Sequence, residues 1–308
     1  MTSDLLNSPE IRRLLDRVSG LDQQNGSPRA KQILRRVVAD IYAVIDEFNI
    51  TPEEFWWTLA FLQTASPEFG LIAPGLGLDH FLDIRMDLAD GERGRTGGTP
   101  RTIEGPLYVP GAPLKKAYAR LDDGTETGEV LIMHGTVSGA DHRPIAGAIV
   151  DVWQANTRGA YSHFDPLQPA YNNRRRIETD GAGRYKFQAM LPAGYAVPPG
   201  GATDRLLAAV GRHGRRPAHI HFFVSAPGFR HLTTQINIDG DPYLHDDFAY
   251  ATRVGLIPPI VRHVAALAIQ KEGLKAPFTE IEFNFELLDA LDTKEAELAL
   301  RKRAEAVG

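Results

Sequence analysis

His219 and His221, separated by Ile220 and followed by Phe222-Phe223-Val224, are the residues whose type and spacing point most directly to chemistry. The apolar and aromatic residues among and after them predict a short β-strand. Side chains alternate faces along a strand, so both imidazoles project to one side while Ile220 and Phe222 project to the other. Two imidazoles on one face, roughly 7 Å apart along the chain, can share a metal ion or can be two ordinary histidines of a sheet. The spacing alone does not choose. The other ligands on offer decide which metal and which chemistry.

The chain contains no cysteine, which excludes thiolate metal sites, disulfides and cysteine nucleophiles. Any metal must be held by His, carboxylate or phenolate. A cupin-like barrel would follow its His-x-His strand with a glutamate ligand, but no Glu occurs between Glu178 and Glu272. Two tyrosines stand out by context. Tyr161 closes the glycine-containing stretch Asn156-Thr157-Arg158-Gly159-Ala160, just after the predicted strand ending Asp151-Val152-Trp153. Tyr195 sits in Leu191-Pro192-Ala193-Gly194-Tyr195, a turn after another predicted strand. Each on its own also reads as a structural tyrosine needing only a partner for its hydroxyl.

The elements that must position these residues fall into two regions. Ser8-Pro9-Glu10, Ser27-Pro28 and Thr51-Pro52-Glu53-Glu54 each place a capping side chain before a first-turn proline, and Thr51 with Glu54 fits a capping box. Behind the second cap, Ile33, Val37, Val38, Ile41, Val44 and Ile45 recur at helical spacing. The third helix carries Phe55, Trp56, Trp57, Leu59, Phe61 and Leu62, apolar on more than one side, which suits core packing or a partner chain. A further helix is expected over 75–88. Gly91 to Pro100 reads as a linker. Beyond it, alternation over 130–137, 148–153, 184–190, 235–238 and 281–287, broken by Gly/Pro turns, predicts an antiparallel β-sandwich. The long loops 154–178 and 191–215 are expected to carry function, and a polar helix is expected over 292–306.

The 308 residues, 43% hydrophobic and 24% charged, are those of a globular protein with a sizeable core. A net charge of -5 argues against nucleic-acid or anionic-membrane partners. No stretch approaches the ~18 apolar residues of a membrane span. Met1-Thr2-Ser3-Asp4 leads into no apolar run, so no secretory signal is expected and the expected compartment is the cytoplasm. Phosphate-binding Gly-rich motifs, His-Glu-x-x-His and Gly-x-Ser-x-Gly are absent.

Taken together, Thr99-Pro100-Arg101-Thr102-Ile103-Glu104-Gly105-Pro106-Leu107-Tyr108, Gly147 to Asn156 running on to Tyr161, Arg174-Arg175-Arg176, Arg216 to Phe223, and His231 to Asn237 form a recognisable set. Along nearly its whole length the sequence resembles the intradiol ring-cleaving dioxygenases. The resemblance implies a helical dimerisation and linker region over 1–100 and a β-sandwich catalytic domain over 101–308, an α+β, mainly β fold. It implies Fe(III) held by Tyr161, Tyr195, His219 and His221, with catechol and dioxygen converted to cis,cis-muconate in aromatic catabolism. Ferric iron is hard and highly charged, which suits phenolate beside imidazole.

In the same implied scheme Tyr195 is the ligand that leaves when the diol binds, taking a proton as it goes, and Arg216 stabilises negative charge on the ring. Gln235 is a partner near the iron. Leu71, Pro74, Ile103, Gly105, Pro106, Phe248 and Ala249 match the family's substrate pocket. Family members are homodimers joined through the helical region, with phospholipid in an apolar channel at the interface. Chlorocatechol or hydroxyquinol is the alternative substrate. A zinc hydrolase, which would more naturally use His or carboxylate, and a non-catalytic β-sandwich binding module are the readings from other classes.

Overall fold

A computed structural model of the chain describes residues 6–291. The chain divides into two compact units, one ending at Ser66 and the other beginning at Pro67. The polar helix expected over 292–306 lies outside the described residues.

The first unit holds helices α1 (Pro9–Val18), α2 (Pro28–Glu47) and α3 (Pro52–Ala65). Ser8, Ser27 and Thr51 cap them as expected, each side chain accepting from the backbone three residues on, and Thr51 and Glu54 form the reciprocal capping box. The apolar stripe of α2 is not buried within the chain: Ile33, Val37, Ile41 and Val44 are about half exposed. α3 buries only Ala65, and Trp56 and Trp57 are each 66% exposed. Among the described residues, α3 therefore shows no core packing beyond Ala65.

The second unit starts with α4 (Phe69–Gly75) and α5 (Leu78–Glu92), separated at Gly77, whose left-handed conformation (φ +73°) no bulkier residue adopts cheaply. Two sheets follow. The first has β1 (Leu114–Lys116), β5 (Arg174–Glu178), β4 (Ile149–Gln154), β9 (His219–Ser225) and β10 (Leu232–Asn237), in that spatial order. The second has β11 (Val261–His263), β12 (Phe278–Glu282), β3 (Val130–Gly139), β6 (Arg184–Met190) and β2 (Tyr118–Arg120), with β13 (Phe285–Leu287) also on β3. A two-stranded ribbon joins β7 (Tyr195–Ala196) to β8 (Arg215–Arg216), with α6 (Ala202–Ala209) between them in the chain. A short α7 (Ala266–Lys271) precedes β12. β4, β5, β9 and β10 pair antiparallel, as do β3 with β6 and β11 with β12. β1, β2, β12 and β13 add parallel pairs.

One core fills the space between the sheets. Val150 and Val152 of β4 and Ile220, Phe222 and Val224 of β9 meet Leu131 and Met133 of β3 and Tyr185 and Phe187 of β6. Each such side chain contributes about 1.5–3 kcal/mol when buried, and that alternation fixes the register of β9. A slip of one residue would send the histidines into the core.

The alternation over 281–287 yields two short strands instead of one. At the break, Asn284 Oδ1 accepts from the Thr136 amide (2.8 Å) and hydroxyl (2.9 Å), taking the place of a backbone acceptor. The Phe283 carbonyl crosses Gly135 so closely that a Cβ there would lie 1.8 Å from its oxygen.

Candidate metal centre and active site

The register of the first sheet assembles one face of the site. β9 runs between β4 and β10, which places Trp153 opposite His221 on one side and Gln235 opposite it on the other, with Asn237 opposite His219. Both imidazoles project away from the core formed by Ile220 and Phe222, as alternation predicts, and both are buried. Their Nε2 atoms converge to 3.1 Å.

The phenols arrive from two loops. Asn156 shapes the first, its Oδ1 accepting from the amides of Arg158 (2.9 Å) and Ala160 (3.0 Å). At Gly159 (φ +80°) a Cβ would lie 2.8 Å from the Gly194 carbonyl and 3.0 Å from the Tyr195 Cβ, so only glycine lets the two tyrosine-bearing segments meet. Tyr195 is fixed by the β7–β8 ribbon, where it pairs directly with Arg216. The Tyr161 hydroxyl is 3.5 Å from His219 Nε2. The two phenol rings stand edge to face, 5.6 Å apart, and the Tyr195 ring is 5.5 Å from that of His219. The four predicted donor residues are thus brought together, three of them buried and Tyr195 half-buried.

Protonation suits ligation. The His219 Nδ1–H donates to the Pro217 carbonyl (2.6 Å), which leaves the Nε2 lone pair facing the site. Burial, helped by the Arg216 cation, pushes the His219 pKa down to about 3, and burial with the neighbouring His219 lowers that of His221. Both are neutral imidazoles. Burial, then the proximity of Tyr195, raises the Tyr161 phenol well above its ordinary value despite the Arg216 charge, so only a nearby cation would make it an anion. Among the described residues no cluster of three or more His, Asp and Glu could hold a metal. Two imidazole nitrogens and two phenol oxygens would be a donor set that fits a hard trivalent ion better than zinc.

Arg216 is buried beside the donors, its Nη1 3.0 Å from His219 Nε2. Its Nη2 donates to Gln235 Oε1 (2.8 Å) and to Asp247 Oδ2 (3.1 Å), and its Nε to Asp247 Oδ1 (3.2 Å). Gln235 in turn donates to Asn237 Oδ1 (3.1 Å). Asp247 escaped sequence reasoning. It lies in a stretch without periodicity, and its two oxygens also accept from the amides of Ala249 and Ala251. Burial pushes its carboxyl up, yet the Arg216 cation and these hydrogen bonds hold it below the usual range.

The residues matched to a substrate pocket are partly brought together. Ile103, Phe248 and Ala249 share a buried cluster with Val197, Leu207 and Ala251, which the sequence did not single out. Gly105 (φ +69°) faces the site directly, since a Cβ there would lie 3.7 Å from His221 Cε1. Pro74 is buried in α4, whose Gly75 meets Phe248, and Pro106 lies against Gly70 of the same helix. Leu71 is half-buried on α4 and outside the buried cluster.

Comparison with known proteins identifies the family. Residues 103–289 match the family model described as dioxygenase, and residues 27–94 match the catechol dioxygenase N terminus. The catechol 1,2-dioxygenase of Acinetobacter baylyi is 50% identical over 308 residues, 98% of this chain and 99% of that protein. That of a Pseudomonas species is 49% identical over 304 residues, 98% of this chain and 100% of that protein. The crystal structure of catechol 1,2-dioxygenase from Pseudomonas arvilla superposes with a TM-score of 0.94 at 48% identity, covering 98% of this chain and 99% of that one. By sequence and fold, the chain belongs to the family of intradiol, catechol-cleaving dioxygenases.

Proposed function

We propose that the protein cleaves catechol between its two hydroxylated carbons with dioxygen, giving cis,cis-muconate, at a ferric ion held by Tyr161, Tyr195, His219 and His221. The observation that supports this reading is the grouping of two phenols and two neutral imidazoles beside a buried arginine, with no cluster of three or more His, Asp and Glu among the described residues to hold a metal instead. Bound Fe(III) withdraws electron density from the catecholate and makes a ring carbon open to dioxygen.

The residues divide the remaining work. An ordinary phenol has a pKa of ~10, so ionising one at about pH 7 costs roughly 4 kcal/mol unless a cation is close. Tyr195, half-buried in the ribbon, would hold the metal as a phenolate, and that oxygen is the base that would take a proton from the incoming diol. Arg216 remains fully charged and aims Nη1 into the site, where it stabilises negative charge on the substrate ring. Gln235 and Asp247 hold that guanidinium in place. Ile103, Pro74, Phe248 and Ala249 form the apolar wall that excludes water, with Leu71 and Pro106 at its rim. Gly105 and Ala249 are small, which favours, as a second reading, acceptance of chloro- or hydroxy-substituted diols. kcat/KM compared over catechol, chlorocatechol and hydroxyquinol separates the two.

The test is the colour of the purified protein. Phenolate-to-Fe(III) charge transfer gives a broad visible band that shifts on adding catechol, and a colourless, iron-replete protein overturns the ligand set. Tyr195→Phe keeps the colour contributed by Tyr161 and loses most turnover, whereas near-normal rates would remove its proton role.

The exposed apolar faces of α2 and α3 suit a homodimer, with phospholipid between the copies. Sedimentation and mass spectrometry of an organic extract read the two directly. No described helix is long and apolar enough to cross a membrane, and a cytoplasmic setting is part of the same reading.

A further inference from the structure

Arg174 opens β5 and is only 1% exposed. Its Nε donates to Ser162 Oγ (2.9 Å) and its Nη2 to the Ser162 carbonyl (3.2 Å), so it grips the residue next to Tyr161. The Ser162 hydroxyl in turn donates to the Asn172 carbonyl (2.7 Å), which ties that loop at two points. The guanidinium carbon lies over the Tyr161 ring, 5.7 Å from its centroid. Nη1 is buried with no hydrogen-bond partner among the described residues, and the buried carboxylate that acts on Arg174, Asp151, accepts instead from the Tyr108 hydroxyl (2.8 Å).

A buried cation without a counter-charge is costly, because the low-dielectric interior replaces neither its hydration nor an anion. The other buried guanidinium of the site, Arg216, is neutralised by Asp247. Arg174 has no such direct partner: Asp151 acts on it only at longer range, and the first charge-bearing group it faces is the Tyr161 phenol, which becomes an anion on binding metal. Cation and ring attract even when the ring is neutral, and more strongly when it carries charge.

We propose that Arg174 is a positioning residue for Tyr161: it clamps the loop that carries the phenol and is the buried counter-cation of that oxygen once it ligates iron. The inference rests on the ligand set proposed above. Metal binding and Arg174 then support one another, since ligation makes the phenol an anion beside a buried guanidinium that has no direct ion pair.

The experiment uses the iron-loaded, full-length protein and reads iron affinity by chelator competition and the position of the visible band, with circular dichroism reporting the fold. In Arg174→Gln, which keeps a donor for Ser162 but no charge, iron affinity falls by roughly 10–100-fold, the scale of losing a partner behind a ligand. The band moves to longer wavelength, because the phenolate electrons lose a stabilising cation. A folded Arg174→Gln with wild-type affinity and band overturns the proposal. Arg174→Lys restores the charge and returns the band towards the wild-type position. An Arg174→Lys band displaced as far as that of Arg174→Gln overturns the charge role, and this comparison with wild type stands by itself where the glutamine variant does not fold. A wild-type protein that is iron-replete and colourless would instead sink the ligand set, so the two failures are distinguishable.

Discussion

Trp153 lies flat on His221, ring centroids 4.9 Å apart and planes within 6°, and the two are direct partners across the β4–β9 ladder. His221 Nδ1 has no hydrogen-bond partner among the described residues, whereas His219 Nδ1 is fixed by the Pro217 carbonyl. One imidazole is oriented by a hydrogen bond and the other by a stacked indole. Trp153→Leu removes the stacking surface and leaves His221 free to rotate. Iron affinity, measured by chelator competition, should fall roughly 10–100-fold, with Trp153→Phe between that variant and wild type. A folded Trp153→Leu that binds iron as tightly as wild type would show that the stack orients nothing.

Asp247 and Arg216 form a fully desolvated pair, with side chains 1% and 4% exposed. Removing one partner strands the other, so Asp247→Ala should cost about 3–5 kcal/mol in urea unfolding. Asp247→Asn, which retains acceptor capacity, should cost less. The carboxyl is held below its ordinary value in the folded state. Its contribution is therefore present above an unfolded pKa of ~3.9 and lost as pH falls through the folded value. An Asp247→Ala protein as stable as wild type at about pH 7 would refute the pair's structural weight.

These two relationships show where the sequence was readable. The His219–Ile220–His221 face and the Thr51–Glu54 capping box depend on neighbours within four residues, and both occur as read. The stacking of Trp153 depends on the register between two strands about seventy residues apart, and no local pattern encodes it. Asp247 reaches Arg216 across 31 residues from an irregular segment, where an aspartate looks like any loop residue. The strand break at Asn284 was hidden because alternation continues through it while a side chain replaces the backbone acceptor. Periodicity found α2 and the Thr51–Glu54 cap found α3, but neither could say what lies against their apolar faces. The iron set was legible only through the family resemblance, since either tyrosine alone reads as structural.

Gly105 combines a left-handed backbone (φ +69°) with open space of ordinary contact distance to His221 Cε1. Gly105→Ala should lose roughly 1–2 kcal/mol of stability from the backbone conformation alone. The added methyl group points at the metal side of the pocket, so KM for methyl- or chloro-substituted catechols should rise more than KM for catechol. Equal KM changes for all three diols would place residue 105 outside the pocket.

Asp151 is a buried carboxyl that the proposed chemistry does not use, and its pKa is shifted in the opposite direction from that of Asp247. Burial pushes its pKa up to about 6, against the hydrogen bond from the Tyr108 hydroxyl (2.8 Å) and the charges of Arg176 and Arg174. Between the unfolded value of ~3.9 and about 6 the folded protein binds more protons than the unfolded chain. The contribution of Asp151 is thus complete below the unfolded value and lost as pH rises through the folded one, about 2–3 kcal/mol in all. Asp247 and Asp90, both held low, act in the reverse direction at lower pH, so the raw profile of the wild type mixes the two. The difference between wild type and Asp151→Asn isolates one group, since the amide still accepts from Tyr108 but cannot titrate. Urea unfolding at several values between about pH 4 and pH 7 should show the variant gaining on wild type as pH rises, then running parallel above about pH 6. A difference that stays flat across that range would mean that Asp151 is ionised in the folded protein throughout, and that the Tyr108 hydroxyl and the two arginines outweigh its burial.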